Sequence, residues 1–167
     1  MPGWAGQRKA LFLDRDGTLI PDLGYPGDPA QVTLLPGIVP TLLEYQRQGY
    51  LLIVISNQSG IGRGMITHQQ YRAVQERMLA LLAGAGVKIT ASYYCPHAPE
   101  TNCFCRKPRP GMLLLAAHDH EIDLASSLLI GDKVSDLEAG RAVGCRTLRC
   151  NAEGLIGCET NESKKCD

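Results

Sequence analysis

The sequence predicts an α/β domain built on a mainly parallel sheet, and three observations carry that prediction. Short apolar runs of strand length alternate with longer amphipathic stretches. Glycine- and Asp-bearing loops follow several of these runs, as strand-to-helix turns require. No apolar stretch reaches membrane-spanning length, so the apolar runs read as buried core.

The elements follow in order. Strands are expected over 10–14, 50–55, 89–94, 127–131 and 145–150, and helices over 37–48, 68–83, 111–119 and 134–143. The second helix is the plainest. Thr67 and Gln70 form a capping box, and Tyr71, Val74, Met78, Leu81 and Leu82 make one apolar stripe, which reads as core. Gly84 and Gly86 should end it, and Pro110 fits the first turn of the third helix. The stretch 17–36 is rich in Pro, Gly and Asp. It is too short for a folded insert and is expected to lean over the crevice at the strand ends. Residues after about 151 show no periodicity and are expected to form a loop or frayed end.

Composition bounds the function. At 167 residues the chain is expected to be one domain, 1–167. Lys plus Arg and Asp plus Glu number 17 each, which argues against a nucleic-acid binder. Residues 1–9 lack the apolar core of a signal peptide, so a cytoplasmic location is expected. There are seven cysteines. Cys95, Cys103 and Cys105 crowd one loop, whereas Cys145, Cys150, Cys158 and Cys166 are scattered. That distribution favours a metal site over a disulfide framework.

Four strand ends carry chemistry. The first ends in Asp14-Arg15-Asp16-Gly17-Thr18. A bare D-x-D is an ordinary polar exit, but two carboxylates in a crevice want a hard cation, a proton, or both. The second ends in Ser56-Asn57-Gln58-Ser59-Gly60, whose hydroxyls, amides and backbone N–H groups suit phosphate oxygens, or simply form a turn. After the third comes Arg106-Lys107-Pro108, where a lysine can pair with a phosphate or a carboxylate. The fourth runs into Gly131-Asp132-Lys133-Val134-Ser135-Asp136. Its two acids can cap a helix or join Asp14 and Asp16 around one Mg²⁺.

In that order, from about residue 10 to 150, the four signals resemble the haloacid-dehalogenase-like phosphohydrolase superfamily. The resemblance implies a Rossmann-like three-layer sandwich with no cap domain. It implies Asp14 as nucleophile and Asp16 as the acid and then the base. Ser56 would bond a phosphoryl oxygen and Lys107 would balance its charge. Mg²⁺ would be held by the Asp14 side chain, the Asp16 backbone and Asp132, with Asp136 acting through water.

A second metal is read from the residues themselves. Cys95, His97, Cys103 and Cys105 follow the pattern C-x-H-x5-C-x-C, a closed donor set suited to structural Zn²⁺. Because Cys105 lies two residues before Lys107, zinc is expected to fix where Arg106 and Lys107 point. The zinc loop followed by C-R-K-P resembles the subfamily of heptose-bisphosphate and histidinol phosphatases. The D-L-G-Y at 22–25 and the S-N-Q-S-G-I-G-R-G at 56–64 resemble the heptose branch, although that family more often has Thr at position 56. The tail also departs from the family's usual final strand and helix. The resemblance implies hydrolysis of the 7-phosphate of D-glycero-D-manno-heptose 1,7-bisphosphate. Asp22, Tyr25, Asn57, Gln58, Ser59, Arg63, Arg106, Lys107 and Lys133 are its candidate substrate contacts. Histidinol phosphate is the alternative substrate. A nucleic-acid 3′-phosphatase and a non-catalytic zinc-stapled module are alternatives of other classes. The expected partner is a small phosphorylated sugar, with no nucleic acid or membrane, and the expected state is a monomer.

Overall fold

The computed structural model describes residues 8–154, 156 and 157. The strands are β1 (Ala10–Leu13), β2 (Leu51–Asn57), β3 (Ile89–Cys95), β4 (Leu128–Gly131), β5 (Arg146–Cys150) and β6 (Ile156–Gly157). The helices are α1 (Ile38–Arg47), α2 (Ser59–Gly62), α3 (His68–Gly84), α4 (Gly111–His120) and α5 (Val134–Ala142). The sheet order is β3-β2-β1-β4-β5-β6. The pairings from β3 across to β5 are parallel, and β6 is antiparallel to β5. With β1 in the interior, the chain winds outward from it on both sides. Asp14 and Asp16 therefore emerge at the point where the strand order reverses, which is where open α/β sheets bind ligands.

The strand pattern explains the layers. Side chains alternate between the two faces of a strand. Leu11, Leu13, Leu52, Val54, Leu128 and Ile130 pack on one face with α1 and α3 residues such as Ile38, Leu42, Met78 and Leu82. Ala10, Phe12, Ile53, Ile55 and Leu129 face the opposite way, against Met112, Leu113, Ala116 and Ala139 of α4 and α5. Strands buried on both faces are continuous apolar runs for this reason. Fully burying one such Leu or Met contributes roughly 1.5–3 kcal/mol. The α3 capping box forms as expected: Gln70 N–H donates to Thr67 Oγ1 at 3.0 Å, and Thr67 N–H to Gln70 Oε1 at 2.9 Å.

Several expectations are corrected. The strand expected over 50–55 runs on to Asn57, so Ser56 and Asn57 belong to it. The sequence did not announce α2, a single short turn of helix. Pro110 is the N-cap of α4 and not a residue of its first turn. Gly84 is the last residue of α3, and Gly86, at φ +86°, makes the turn that follows. The expected loop after 151 contains β6. There Gly154, at φ +78°, donates its N–H to Asn151 O at 3.0 Å and reverses the chain. A two-residue strand is too short to show an alternating pattern. Cys145 and Cys150 are buried in the cores on opposite faces, and burial raises their thiols to about 12 and about 11. Cys158 and Cys166 lie outside the described residues. No helix among the described residues is long and apolar enough to cross a membrane.

Candidate active site and metal loop

Asp14 directly follows β1, and its backbone N–H still bonds Ile130 O at 3.0 Å, which ties it to β4. Its carboxylate is buried, and its Oδ1 lies 2.7 Å from Lys107 Nζ. The same ammonium is 2.7 Å from Asp136 Oδ1 and 2.8 Å from Ile55 O. All three of its N–H bonds are used. Burial alone would lower the Lys107 pKa, but Asp14 and Asp136 together outweigh it and raise it. Lysine 107 is therefore a fixed cation between two acids.

Asp132 completes the group. Ligand atoms of Asp14, Asp132 and Asp136 lie within 4.8 Å of one another. Burial and the neighbouring Asp14 carboxylate push the Asp132 pKa up to about 7. Burial also raises Asp136, against the opposing pull of Lys107. Asp132 Oδ1 is buried and has no partner among the described residues. Both Asp136 oxygens are engaged, Oδ1 with Lys107 and Oδ2 with the Lys133 backbone N–H at 3.0 Å. One lysine among three acids leaves negative charge unmatched, and one Asp132 oxygen is buried without a partner among the described residues. That donor set fits a hard divalent cation. Gly17 keeps the space open. It adopts φ +86°, and a Cβ there would collide with the Asp132 carboxylate.

Asp16 is held by its neighbour. Arg15 is fully buried and grips Asp16 through Nε to Oδ2 at 3.0 Å and Nη2 to Oδ1 at 3.1 Å. Gln58 closes the network. Its Nε2 donates to Asp16 Oδ2 at 2.8 Å and Ser56 Oγ at 3.0 Å, and its Oε1 accepts from Arg15 Nη2 at 3.0 Å. The sequence offered no role for Arg15. Asn57 also turns inward. Its Oδ1 accepts from Lys107 N–H and its Nδ2 donates to Lys107 O, both at 3.0 Å. The amides of Gln58 and Asn57 thus orient Asp16 and Lys107, a use the sequence reading of these residues as substrate contacts did not foresee.

The remaining candidates ring a cavity of about 540 Å³ that also reaches Asp14, Asp16 and Lys107. Ser59, Arg63, Arg106 and Lys133 line it, with Asp22 and Tyr25 from the loop before α1. Arg106 Nη1 is buried and unpartnered among the described residues. Asp22 is tied to Lys133 Nζ at 3.0 Å and accepts from Gly24 N–H at 3.0 Å. Burial opposes ionisation of Asp22, yet Lys133 and the Gly24 N–H outweigh it and lower its pKa. The Tyr25 ring lies against Gly60, where a Cβ would collide with its Cδ1.

The thiol cluster sits beside this cavity. Cys95 ends β3, and its Sγ lies 3.5 Å from Cys103 Sγ and 3.2 Å from Cys105 Sγ. His97 Nδ1 is 3.2 Å from Cys105 Sγ and 3.5 Å from Cys95 Sγ. Tetrahedral zinc at a Zn–S distance of roughly 2.3 Å would hold its sulfurs about 3.7 Å apart, so the donors fit with little movement. Burial and the neighbouring thiols raise Cys95 to about 12. Burial opposes ionisation of Cys103 as well, but bonds from Cys95 and Cys105 bring it down to about 7. The loop is pressed onto α2. Gly62 N–H bonds Pro96 O at 2.8 Å, and a Cβ on Gly62 would meet Ala98 N at 2.6 Å.

Residues 104–151 match the HAD-hydrolase-like family model. The D-glycero-beta-D-manno-heptose-1,7-bisphosphate 7-phosphatase of Pasteurella multocida is 44% identical over 140 residues, covering 80% of this chain and 76% of that protein. The enzyme of the same name from Escherichia coli K12 is 40% identical over 145 residues, covering 83% and 76%. A crystal structure of D,D-heptose 1,7-bisphosphate phosphatase from B. bronchiseptica, complexed with magnesium and phosphate, matches with a TM-score of 0.81 at 32% identity. It covers 87% of this chain and 83% of that one. The chain belongs to the haloacid-dehalogenase-like phosphohydrolases, in the family of the heptose-bisphosphate phosphatases, and is a phosphoric monoester hydrolase.

Proposed function

We propose that the protein is a Mg²⁺-dependent phosphatase that removes the 7-phosphate of D-glycero-D-manno-heptose 1,7-bisphosphate through an aspartyl-phosphate on Asp14. One observation carries this reading. A buried carboxylate paired with a buried lysine at 2.7 Å opens onto a cavity that also bears Arg63, Arg106 and Lys133. Such a cavity suits a small molecule with an anion at each end.

In the first step an Asp14 oxygen attacks phosphorus in line. The P–O bond to the sugar breaks, and Asp16 gives its proton to the leaving oxygen. In the second step a water attacks the aspartyl-phosphate, Asp16 takes its proton, and the Asp14 carboxylate is freed with inorganic phosphate. The Ser56 hydroxyl accepts from Gln58, which leaves its hydrogen for a phosphoryl oxygen. Lys107 neutralises charge beside Asp14. The Asp14 and Asp132 side chains and the Asp16 carbonyl would hold Mg²⁺, with Asp136 one water away because both its oxygens are engaged. Bound Mg²⁺ would supply the positive charge that lets a carboxylate approach a phosphate dianion. Cys95, His97, Cys103 and Cys105 would hold a structural Zn²⁺ with no open position. The second phosphate would meet Arg106, with Arg63 and Lys133 near it.

Phosphate release from both anomers of the heptose bisphosphate, fructose 1,6-bisphosphate, histidinol phosphate and a 3′-phosphorylated oligonucleotide tests the reading. The expected result is the highest kcat/KM on a heptose bisphosphate and no turnover by Asp14→Asn. Preference for histidinol phosphate or the oligonucleotide overturns the substrate, and an active Asp14→Asn overturns the covalent route.

A further inference from the structure

We propose that Arg15 and Gln58 are positioning residues that hold the Asp16 carboxyl group in line for proton transfer to the leaving oxygen. This rests on the reading of Asp16 as the acid and base of the reaction. Arginine is costly to bury, and removing its charge from water costs several kcal/mol unless it is well paired. Arg15 is nonetheless fully buried, wedged between the two aspartates of the D-x-D in sequence. Its guanidinium spends two prongs on Asp16 and shares one with Gln58, while Nη1 has no partner among the described residues. Its guanidinium carbon lies 5.3 Å from the centroid of the Tyr71 ring, and Tyr71 packs on Tyr94 with ring centroids 4.1 Å apart. The aromatic floor, the arginine and the glutamine leave Asp16 one orientation, with three donated bonds on its two oxygens. The ring Arg15–Asp16–Gln58 also continues to Ser56 through Gln58 Nε2. The proton donor and the phosphoryl-binding hydroxyl are thus indexed to each other by one amide.

The fork geometry matters as much as the charge. A lysine at position 15 would carry the same charge but could not make the two parallel bonds to Asp16 and the third to Gln58. If the clamp serves proton transfer, its loss hurts poor leaving groups most. An alkoxide must be protonated as it departs, whereas p-nitrophenolate departs unaided.

The experiment measures kcat/KM, which reports the phosphorylation step, on aryl and alkyl phosphates of graded leaving-group acidity. Wild type, Arg15→Met, Arg15→Lys, Gln58→Leu and Asp16→Asn are compared. Arg15→Met is expected to lose roughly tenfold or more on alkyl phosphates relative to p-nitrophenyl phosphate, within the range general acid catalysis supplies. Arg15→Lys should not rescue it, and Gln58→Leu should shift the same way by less. Asp16→Asn should show the steepest dependence. An equal loss across all leaving groups in both Arg15→Lys and Gln58→Leu overturns the positioning role. Flat dependence in Asp16→Asn overturns the role of Asp16 itself, so the two failures are distinct. Should Arg15→Met not fold, the Lys and Leu variants alone decide the matter.

Discussion

The two ligand clusters of this protein are built on opposite plans. The carboxylates of Asp14, Asp132 and Asp136 gather around a cation that belongs to the chain, Lys107, which bonds two of them at 2.7 Å. The sulfurs of Cys95, Cys103 and Cys105 lie within 3.5 Å of one another, with His97 Nδ1 against two of them. The first cluster keeps its shape through the charge of the chain's own lysine and leaves Asp132 Oδ1 without a partner among the described residues, as an exchangeable cation requires. The second offers a full tetrahedral set of four donors, as a permanent metal requires. An open site that must turn over and a closed site that must not are thereby joined through the thirteen residues 95–107.

The sharpest way to break this comparison is to remove the resident cation. Lys107→Met leaves Asp14 and Asp136 buried beside each other. We expect turnover to fall about a thousandfold or more. Stability should drop by about 3–5 kcal/mol, the usual cost of orphaning a buried ion-pair partner. Steady-state kinetics and denaturant unfolding measure the two. A variant of wild-type stability would mean that the acids do not depend on the lysine.

Stripping zinc tests the other plan. Extraction with a zinc-selective chelator should lower Tm by on the order of 10 °C, since structural zinc contributes folding free energy directly. Because Asn57 clamps the Lys107 backbone and the loop presses on Gly62, phosphatase activity should fall with it and return on adding Zn²⁺. Full activity in the metal-free protein would uncouple the loop from the site.

The smallest expected effect concerns pH. Asp132 sits near 7 in the folded, Mg²⁺-free protein against an ordinary value of 3.8, and Asp136 is raised in the same direction. The folded state therefore holds more protons than the unfolded one between about pH 4 and pH 7. Their contribution is full below the unfolded value and is lost as pH rises through the folded one. Without Mg²⁺, Tm should decline across that window. Added Mg²⁺ should raise Tm by a few degrees near neutral pH and hardly at all near pH 4. Calorimetry at several pH values checks the slope. A Mg²⁺ effect independent of pH would separate metal binding from these carboxylates.

Much of this was legible in the residues. Parallel strands buried on both faces declare themselves as apolar runs, so β1 and β4 were evident within a residue or so. The thiol cluster was visible because its donors repeat at tight spacing, whereas Asp14 and Asp132 lie far apart in the chain and could be linked only because each follows a strand. What escaped was how the supporting side chains meet. Asn57 and Gln58 look like a phosphate loop, and only the folded chain shows their amides bonded to Lys107 and Asp16. Arg15 carries no signal of its own, because its partners Gln58 and Tyr71 lie far along the chain. The short helix α2 and strand β6 are below the length at which periodicity exists to be read.

The Asn57 clamp has a consequence for how such an enzyme changes. Cys95 ends the edge strand β3, whereas Lys107 must reach the carboxylate that follows β1, an interior strand, with β2 lying between them. Asn57, at the tip of β2, receives the incoming backbone with one donor and one acceptor, and reads nothing of the side chains before it. It behaves as a socket. The segment that arrives there can be lengthened, recast or rebuilt around a different knot, and the lysine will still be delivered to the same place.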